Sequence, residues 1–281
     1  MIERQLLSGF PEKDYHALPH LSSTGVRALL RTPAHFRAAQ KTMRIATPAM
    51  QWGTIIHAAL LEPHRFDELV YRLPESVPER RKDVDKQWWA DTEAKAAGRP
   101  LLRYDETPRL DAIVSAVRAT PAASLFLQGG LVESTLLWQR RASNGTVVPC
   151  RARPDFMLPD ASIVVDLKKT ADASPAGFAR SVWNYRYDVQ AAHYLDGITE
   201  VCERIPSAWL FCAIEMDEPF GVAWYRASPQ MLDFGGLDLA RAVDLYAECT
   251  ARDEWNCYPD EIMNLDLPRW ARHDEQPATE D

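Results

Sequence analysis

No window of the sequence approaches the roughly 18 consecutive apolar residues that a membrane-spanning helix needs, so no membrane partner is expected. The first twenty residues, MIERQLLSGFPEKDYHALPH, lack a basic stretch followed by an apolar one. That argues against a secretory signal and leads to the expectation of a cytoplasmic protein. Cysteine is sparse: Cys150, Cys202, Cys212, Cys249 and Cys257 are scattered and odd in number, with no CxxC among them. A zinc knuckle or an iron–sulfur clasp therefore has little support, and small buried hydrophobes are the default reading of these residues. Positive charge is also short, with 32 Lys and Arg against 40 Asp and Glu and a formal net charge of −8. Taken alone, that opposes nucleic-acid binding, which usually leaves a basic footprint. Internal repeats and low-complexity blocks are missing as well.

What is present is a chain of 281 residues, 46% hydrophobic and 26% charged, long enough to bury a sizeable core as one elaborated domain. Charge is uneven along it. Between Gln139 and Thr170 the basic residues are Arg140, Arg141, Arg151, Arg153, Lys168 and Lys169, against the acids Asp155, Asp160 and Asp166. Asp274, Glu275, Glu280 and Asp281 make the end of the chain acidic, so a local basic surface inside an acidic protein is possible.

The pattern predicts two short helices over 23–42, broken at Pro33, with Ser22, Ser23 or Thr24 as N-cap. Further helices are expected at 49–61, about 86–97 and 106–119, with a charged, Pro-bearing loop from Pro74 to Lys86. The texture then turns to strands. Leu131–Arg141 and Thr146–Leu158 read as a hairpin around Ser143-Asn144-Gly145, and Ser162–Leu167 reads as a strand buried on both faces. Helices at 175–184 and 188–203, strands at Ala208–Met216 and Gly221–Arg226, and a long helix at about 229–250 complete the chain. Helices first, then a mixed sheet, then helices make an α/β or α+β sandwich.

The passage richest in chemistry is Arg153-Pro154-Asp155, followed eleven residues later by Asp166-Leu167-Lys168. Alternation along a strand puts Asp166 and Lys168 on one face, and the returning strand brings the Asp155 carboxylate beside Asp166. Two carboxylates at a strand end form a hard-oxygen site suited to Mg²⁺ or Mn²⁺. Lys168 would stand where an attacking water or a developing phosphorane needs a positive neighbour. For the bare D-x-K spacing a structural ion pair is the plainer reading, since exposed pairs of this kind are common; the Pro-Asp before it, in a strand-turn-strand context, brings the two readings level.

The run CRARPDFMLPDASIVVDLKKTADASPAGFARSVWNYRYDVQAAHYLDG resembles the nuclease domain of the RecE-type exonucleases (exonuclease VIII) of the PD-(D/E)xK superfamily. That family shows C-R-x-R-P-D, a strand ending D-x-K-T-T-A-D, and Y-D-Y-R-Y-x-x-Q-x-x-x-Y. The resemblance continues in DYHA at Asp14–Ala17, LSSTGVRALLRTPAHF, GTIIHAALLEP at Gly53–Pro63 and LPRWA at Leu267–Ala271. It implies that Asp155 and Asp166 are metal ligands, with the Leu167 backbone carbonyl, and that Lys168 is the catalytic lysine. His57, in G-T-x-x-H, would be a further ligand or lie just behind the ligands; a core histidine is the plainer reading of its partly apolar helix. Glu133 matches an upstream acid that completes the metal shell or orients water, and a solvated strand acid is its alternative.

Gln190 and Tyr194 match Q-x-x-x-Y, an i, i+4 pair on one helical face. Thr24 and Ser22 lie where related exonucleases bind the 5′-phosphate, a role that simple N-capping rivals. Arg151 and Arg153 flank the site and could hold DNA phosphates, Arg153 being the nearer because it shares a strand face with Asp155. Trp88-Trp89 and Tyr185/Tyr187 could stack bases or wedge a duplex end, or serve as core and subunit contacts. One departure from the family pattern is Lys169 in place of a threonine, which leaves the ligands intact and points its charge to the opposite strand face.

The resemblance thus leads to a restriction-endonuclease-like core: a central mixed sheet flanked by helices, with an N-terminal helical elaboration. Residues 1–272 are expected as one domain, 1–128 mainly helical and 129–250 the sheet core, with 273–281 a disordered acidic tail. The implied activity is Mg²⁺-dependent (Mn²⁺ substituting), processive 5′→3′ degradation of one strand of linear duplex DNA, leaving a 3′ overhang. The implied setting is a homo-oligomeric ring, trimer or tetramer, in a bacterial cell or phage-infected host, partnered by a RecT-like single-strand annealing protein. An endonuclease or repair nuclease on the same fold, or a catalytically silent DNA-binding module, are the alternatives.

Overall fold

The computed structural model describes residues 4–41 and 47–266. The LPRWA motif and the acidic tail at 273–281 lie outside the described residues. In chain order the first half comprises β1 (Gln5–Leu7), α1 (Glu12–Ala17), α2 (Ser23–Arg31), α3 (Pro33–Lys41), α4 (Pro48–Leu61) and α5 (Phe66–Leu69). After these come β2 (Tyr71–Arg72), α6 (Asp83–Ala96), β3 (Leu101–Leu102), α7 (Thr107–Arg118) and α8 (Ser124–Leu127). The second half runs β4 (Leu131–Val132), β5 (Thr135–Arg141), β6 (Val147–Ala152), β7 (Phe156–Met157), β8 (Ile163–Thr170), α9 (Pro175–Tyr185) and α10 (Tyr187–Cys202). It ends with β9 (Ala208–Glu215), β10 (Val222–Arg226) and α11 (Pro229–Arg252).

Helix starts follow a repeated local rule. Thr47, Ser174 and Ser228 each accept a backbone N–H with the side-chain hydroxyl, and each is followed by a proline whose fixed φ suits the first helical turn. Ser22 caps α2 in the same way without the proline, accepting from the Gly25 N–H at 3.3 Å.

A five-stranded mixed sheet in the order β10-β9-β8-β7-β4 forms the centre, with β8 and β9 parallel and the other pairs antiparallel. Its two faces are both covered by apolar side chains, as a β-rich central strand requires. On one face Val164, Phe211 and Ala213 pack with Val26, Phe178, Val189, Ile198 and Leu239 from the helices α2, α9, α10 and α11. On the other, Val165, Leu167, Cys212 and Ile214 pack with Ile55, Ile56, Ile113 and Val117 from α4 and α7. This is the expected central mixed sheet flanked by helices.

The two long strands expected at 131–141 and 146–158 are each broken in two. β4 and β7 belong to the central sheet, whereas β5 and β6 form a separate antiparallel sheet with β1, in the order β1-β5-β6. The hairpin therefore turns a corner between sheets, at Glu133-Ser134 on one strand and Arg153-Pro154-Asp155 on the other. The Glu133 N–H donates to the Asp155 carbonyl at 3.1 Å across that corner, and Glu133 adopts a left-handed backbone with φ 42°. A non-glycine residue held there is strained, a feature often found where chemistry is done.

Candidate active site

Alternation along β8 puts Val164, Asp166 and Lys168 toward α10, and Val165, Leu167 and Lys169 toward α4. Asp166 is fully buried, and its Oδ2 lies 2.5 Å from Lys168 Nζ. Gln190, one turn into α10, donates from Nε2 to Asp166 Oδ1 at 3.2 Å. Asp155, at the sheet corner where β7 has not yet begun, accepts the Leu167 N–H on Oδ2 at 2.7 Å. In an extended strand a residue's N–H and C=O share one edge, so the Leu167 carbonyl lies on the Asp155 side. From α4, His57 spans the corner: its Nε2 is 3.6 Å from Asp155 Oδ2 and its Nδ1 is 3.5 Å from Glu133 Oε1. The sheet corner that breaks the predicted strands is thus what brings Glu133 and Asp155 to His57.

Electrostatics tie these groups together. Burial pushes the Asp166 carboxyl up to about 6, opposed by the Lys168 ammonium and reinforced by Asp155. Burial works against a charged Lys168, but Asp166 and Asp155 outweigh it and hold its pKa above the usual lysine value. Burial likewise opposes protonation of His57, and the Asp155 and Glu133 carboxylates outweigh it, so its pKa is raised. Glu133 is held below the ordinary carboxylate range, chiefly by its hydrogen bond to His57, with burial opposing. Tyr194, one turn beyond Gln190, is buried with its phenol in hydrogen-bond contact with Ser23, and burial raises its pKa strongly.

A cavity of about 380 Å³ opens over this cluster, lined by Ser22, Thr24, His57, Glu133, Asp155 and Tyr194 among others. It shares Glu12, Glu133 and Arg153 with a second cavity of about 1120 Å³. It shares Glu12, His16, Ser22, Thr24, Met50 and Arg151 with a third of about 770 Å³. The three cavities adjoin one another, and Glu12 lines all of them.

Several residues proposed from sequence are placed differently by the fold. Arg151 is buried and serves the fold: its Nη1 donates to the Tyr15 carbonyl and, at 2.7 Å, to the Leu18 carbonyl, which fastens α1 onto β6, and it also lines the cavity. Arg153 follows the end of β6, so strand alternation does not relate it to Asp155. Its guanidinium donates to Thr135 Oγ1 at 2.8 Å and to the Phe10 carbonyl at 2.7 Å, and it lies over the Tyr15 ring at 4.4 Å. It still contributes positive potential at Glu133. The Ser22 hydroxyl is the α2 N-cap, while Thr24 Oγ1 accepts from Arg27 Nη2 at 3.2 Å.

Trp89 is a core residue, donating from Nε1 to the Pro78 carbonyl at 2.9 Å, with Trp88 edge-on to it. Sequence reasoning missed one neighbour of the site, Arg27, and named another, Tyr187, without placing it beside Lys168. Arg27 had a readable signal, its i+3 spacing from Thr24 on α2. The placement of Tyr187 against Lys168 had none, because it depends on α10 docking over β8.

Among the described residues, no three His, Cys, Asp or Glu side chains close tightly enough to cage a metal on their own. Mg²⁺ does not require a cage; it binds through one or two carboxylates and keeps its remaining positions for water and phosphate oxygens. The donors suit it. Asp166 Oδ2 is buried without a hydrogen-bond partner beyond the lysine ion pair, and burial disfavours its negative charge, a cost that a cation would remove.

A restriction-endonuclease-like sheet carrying Pro154-Asp155 just before β7 and Asp166-Leu167-Lys168 in the middle of β8 defines the PD-(D/E)xK nuclease class. The chain belongs to the family described as "PDDEXK-like domain of unknown function (DUF3799)", which matches residues 22–266. No curated protein matches the sequence. Among solved structures, a provisionally assigned exonuclease from Eubacterium rectale is similar in fold, with a TM-score of 0.57 at 9% identity over 92% of this chain and 94% of that one. A second, SSO0001, has 16% identity over 75% of this chain and 89% of that one, but its TM-score of 0.31 is too low to argue from.

Proposed function

We propose that the protein is a Mg²⁺-dependent exodeoxyribonuclease of RecE type, with Mn²⁺ able to substitute, acting on the ends of linear duplex DNA. The observation that carries this reading is the linked cluster in which His57 joins Glu133 and Asp155 and Lys168 pairs with Asp166, with a cavity lined by His57, Glu133 and Asp155 beside it. Asp155 and Asp166 would hold the ion, with His57, Glu133 and the Leu167 carbonyl beside them. When bound, such an ion supplies a polarised phosphate and a more acidic water. The protein's own part is positional. Lys168, kept charged by Asp166 and Asp155, faces the negative charge that grows on the phosphate during hydrolysis. Gln190 fixes the orientation of Asp166, and Tyr194 braces the cavity wall against Ser23.

Processive 5′→3′ digestion, a 3′ overhang handed to a RecT-like annealing protein for recombination, a trimeric or tetrameric ring and a cytoplasmic setting belong to the same proposal. They rest on the motif resemblance. The Thr24 and Ser22 hydroxyls beside the cavity are compatible with holding a 5′-phosphate. Incubating linear and closed-circular duplex DNA with the protein and Mg²⁺ tests the reading. Acid-soluble nucleotides from the linear form alone are expected; nicking or linearisation of the circle would replace the exonuclease with an endonuclease.

A further inference from the structure

We propose that the stacked pair Tyr185–Tyr187 is a platform for a nucleobase of the DNA strand beside the scissile phosphate. The substrate in this proposal rests on the exodeoxyribonuclease reading above. The Tyr187 ring centroid lies 4.6 Å from Lys168 Nζ, so the aromatic surface begins at the lysine that faces the reacting phosphate. Tyr187 is seated from below by Phe178 and Phe211, with centroids at 6.4 and 6.2 Å. Tyr185 stacks on it at 5.6 Å with planes 25° apart.

The outer ring has no packing duty that explains it. Tyr185 is 59% exposed, and among the described residues Tyr187 is its one ring partner. The backbone that presents it is nevertheless held firmly. Between the two tyrosines Arg186 takes a left-handed conformation, φ 52°, and its guanidinium is tied to Asp188 at 2.9 Å and Asp238 at 2.5 Å. Arg27 Nη1 donates to the Tyr185 carbonyl at 2.9 Å, which joins this turn to α2 next to Thr24.

An exposed aromatic ring on a fixed turn, with Lys168 at its inner end and Arg27 at its side, suits a ligand that has a flat apolar face and an attached anion. A nucleotide in a DNA strand has both. Base–aromatic stacking is tolerant of sequence, which is what a nuclease that digests any DNA requires.

The test is binding of a fluorescein-labelled linear duplex with Ca²⁺ in place of Mg²⁺. The terminal nucleotides of one strand are either intact or abasic. Wild type is expected to bind the intact end about 10-fold more tightly, the scale of a single base–aromatic stack. Tyr185→Ala should lose that discrimination at an unchanged melting temperature, and Tyr185→Trp should keep it. If Tyr185→Ala discriminates as wild type does, or wild type binds both ends alike, the platform is refuted. Base-dependent binding through Tyr185 without hydrolysis in Mg²⁺ or Mn²⁺ would instead sink the nuclease reading and leave the platform standing.

Discussion

Asp166 gives the most quantitative handle on the site. Its carboxyl is fully buried and pushed from 3.8 up to about 6, even after the pull of the Lys168 ammonium. At about 1.4 kcal/mol per pH unit, a rise of roughly two units corresponds to about 3 kcal/mol. The sign follows from proton binding. Between about pH 4 and pH 6 the folded metal-free protein holds a proton on Asp166 that the unfolded chain has released, so this contribution falls as pH rises through that window.

Asp166→Asn removes the titration while keeping size and an acceptor for Gln190. It leaves Lys168 without its partner, which lowers stability by an amount that does not vary over this range. Urea unfolding in EDTA from about pH 4 to pH 8 should therefore show the wild-type value, relative to the variant, dropping by about 2 kcal/mol up to pH 6 and levelling by about pH 7. Adding Mg²⁺ should reverse the trend in wild type alone, since the ion needs the ionised carboxylate. A wild-type-minus-variant difference that is flat across the range would refute the argument that burial, rather than the lysine, dominates at Asp166.

Other sites give independent expectations. Arg151→Met strands the Tyr15 and Leu18 carbonyls and should lower stability by about 2–3 kcal/mol in urea unfolding; a wild-type midpoint would contradict its structural role. In Gly235→Ala the new Cβ falls 2.3 Å from the Asp188 carbonyl oxygen, backbone against α11, so a loss of about 1–3 kcal/mol and a lower melting temperature are expected. An unchanged melting temperature would mean that α10 and α11 are less tightly joined than described. His57→Ala should raise the Mg²⁺ concentration for half-maximal activity about 10-fold or more, and an unchanged metal dependence would remove His57 from the site.

The parts of this arrangement that follow local rules were readable from sequence. Period-two alternation places Asp166 and Lys168 together, and the apolar run Ile163–Val165 marks a strand covered on both faces. Hydroxyl and proline pairs mark the starts of α4, α9 and α11. What was not readable depends on partners distant in sequence. The breaks at Glu133 and Asp155 arise because β4 and β7 pair in one sheet while β5 and β6 pair in another, a choice that neither strand's own pattern encodes.

β1 is three residues long and exists through its pairing with β5. Arg151 and Arg153 look alike in sequence as exposed strand arginines, yet both are drawn inward by carbonyls of the segment from Phe10 to Leu18. The motif resemblance singled out the members of the cluster, and the sheet corner explains how they meet.

The most direct test of the central claim is release of acid-soluble nucleotides from linear duplex DNA in Mg²⁺ by wild type, Asp166→Ala and Lys168→Ala, with folding of each checked by circular dichroism. The account predicts release by wild type, abolished by EDTA and by either substitution in a folded protein. Full activity in a folded Asp166→Ala or Lys168→Ala protein would contradict it.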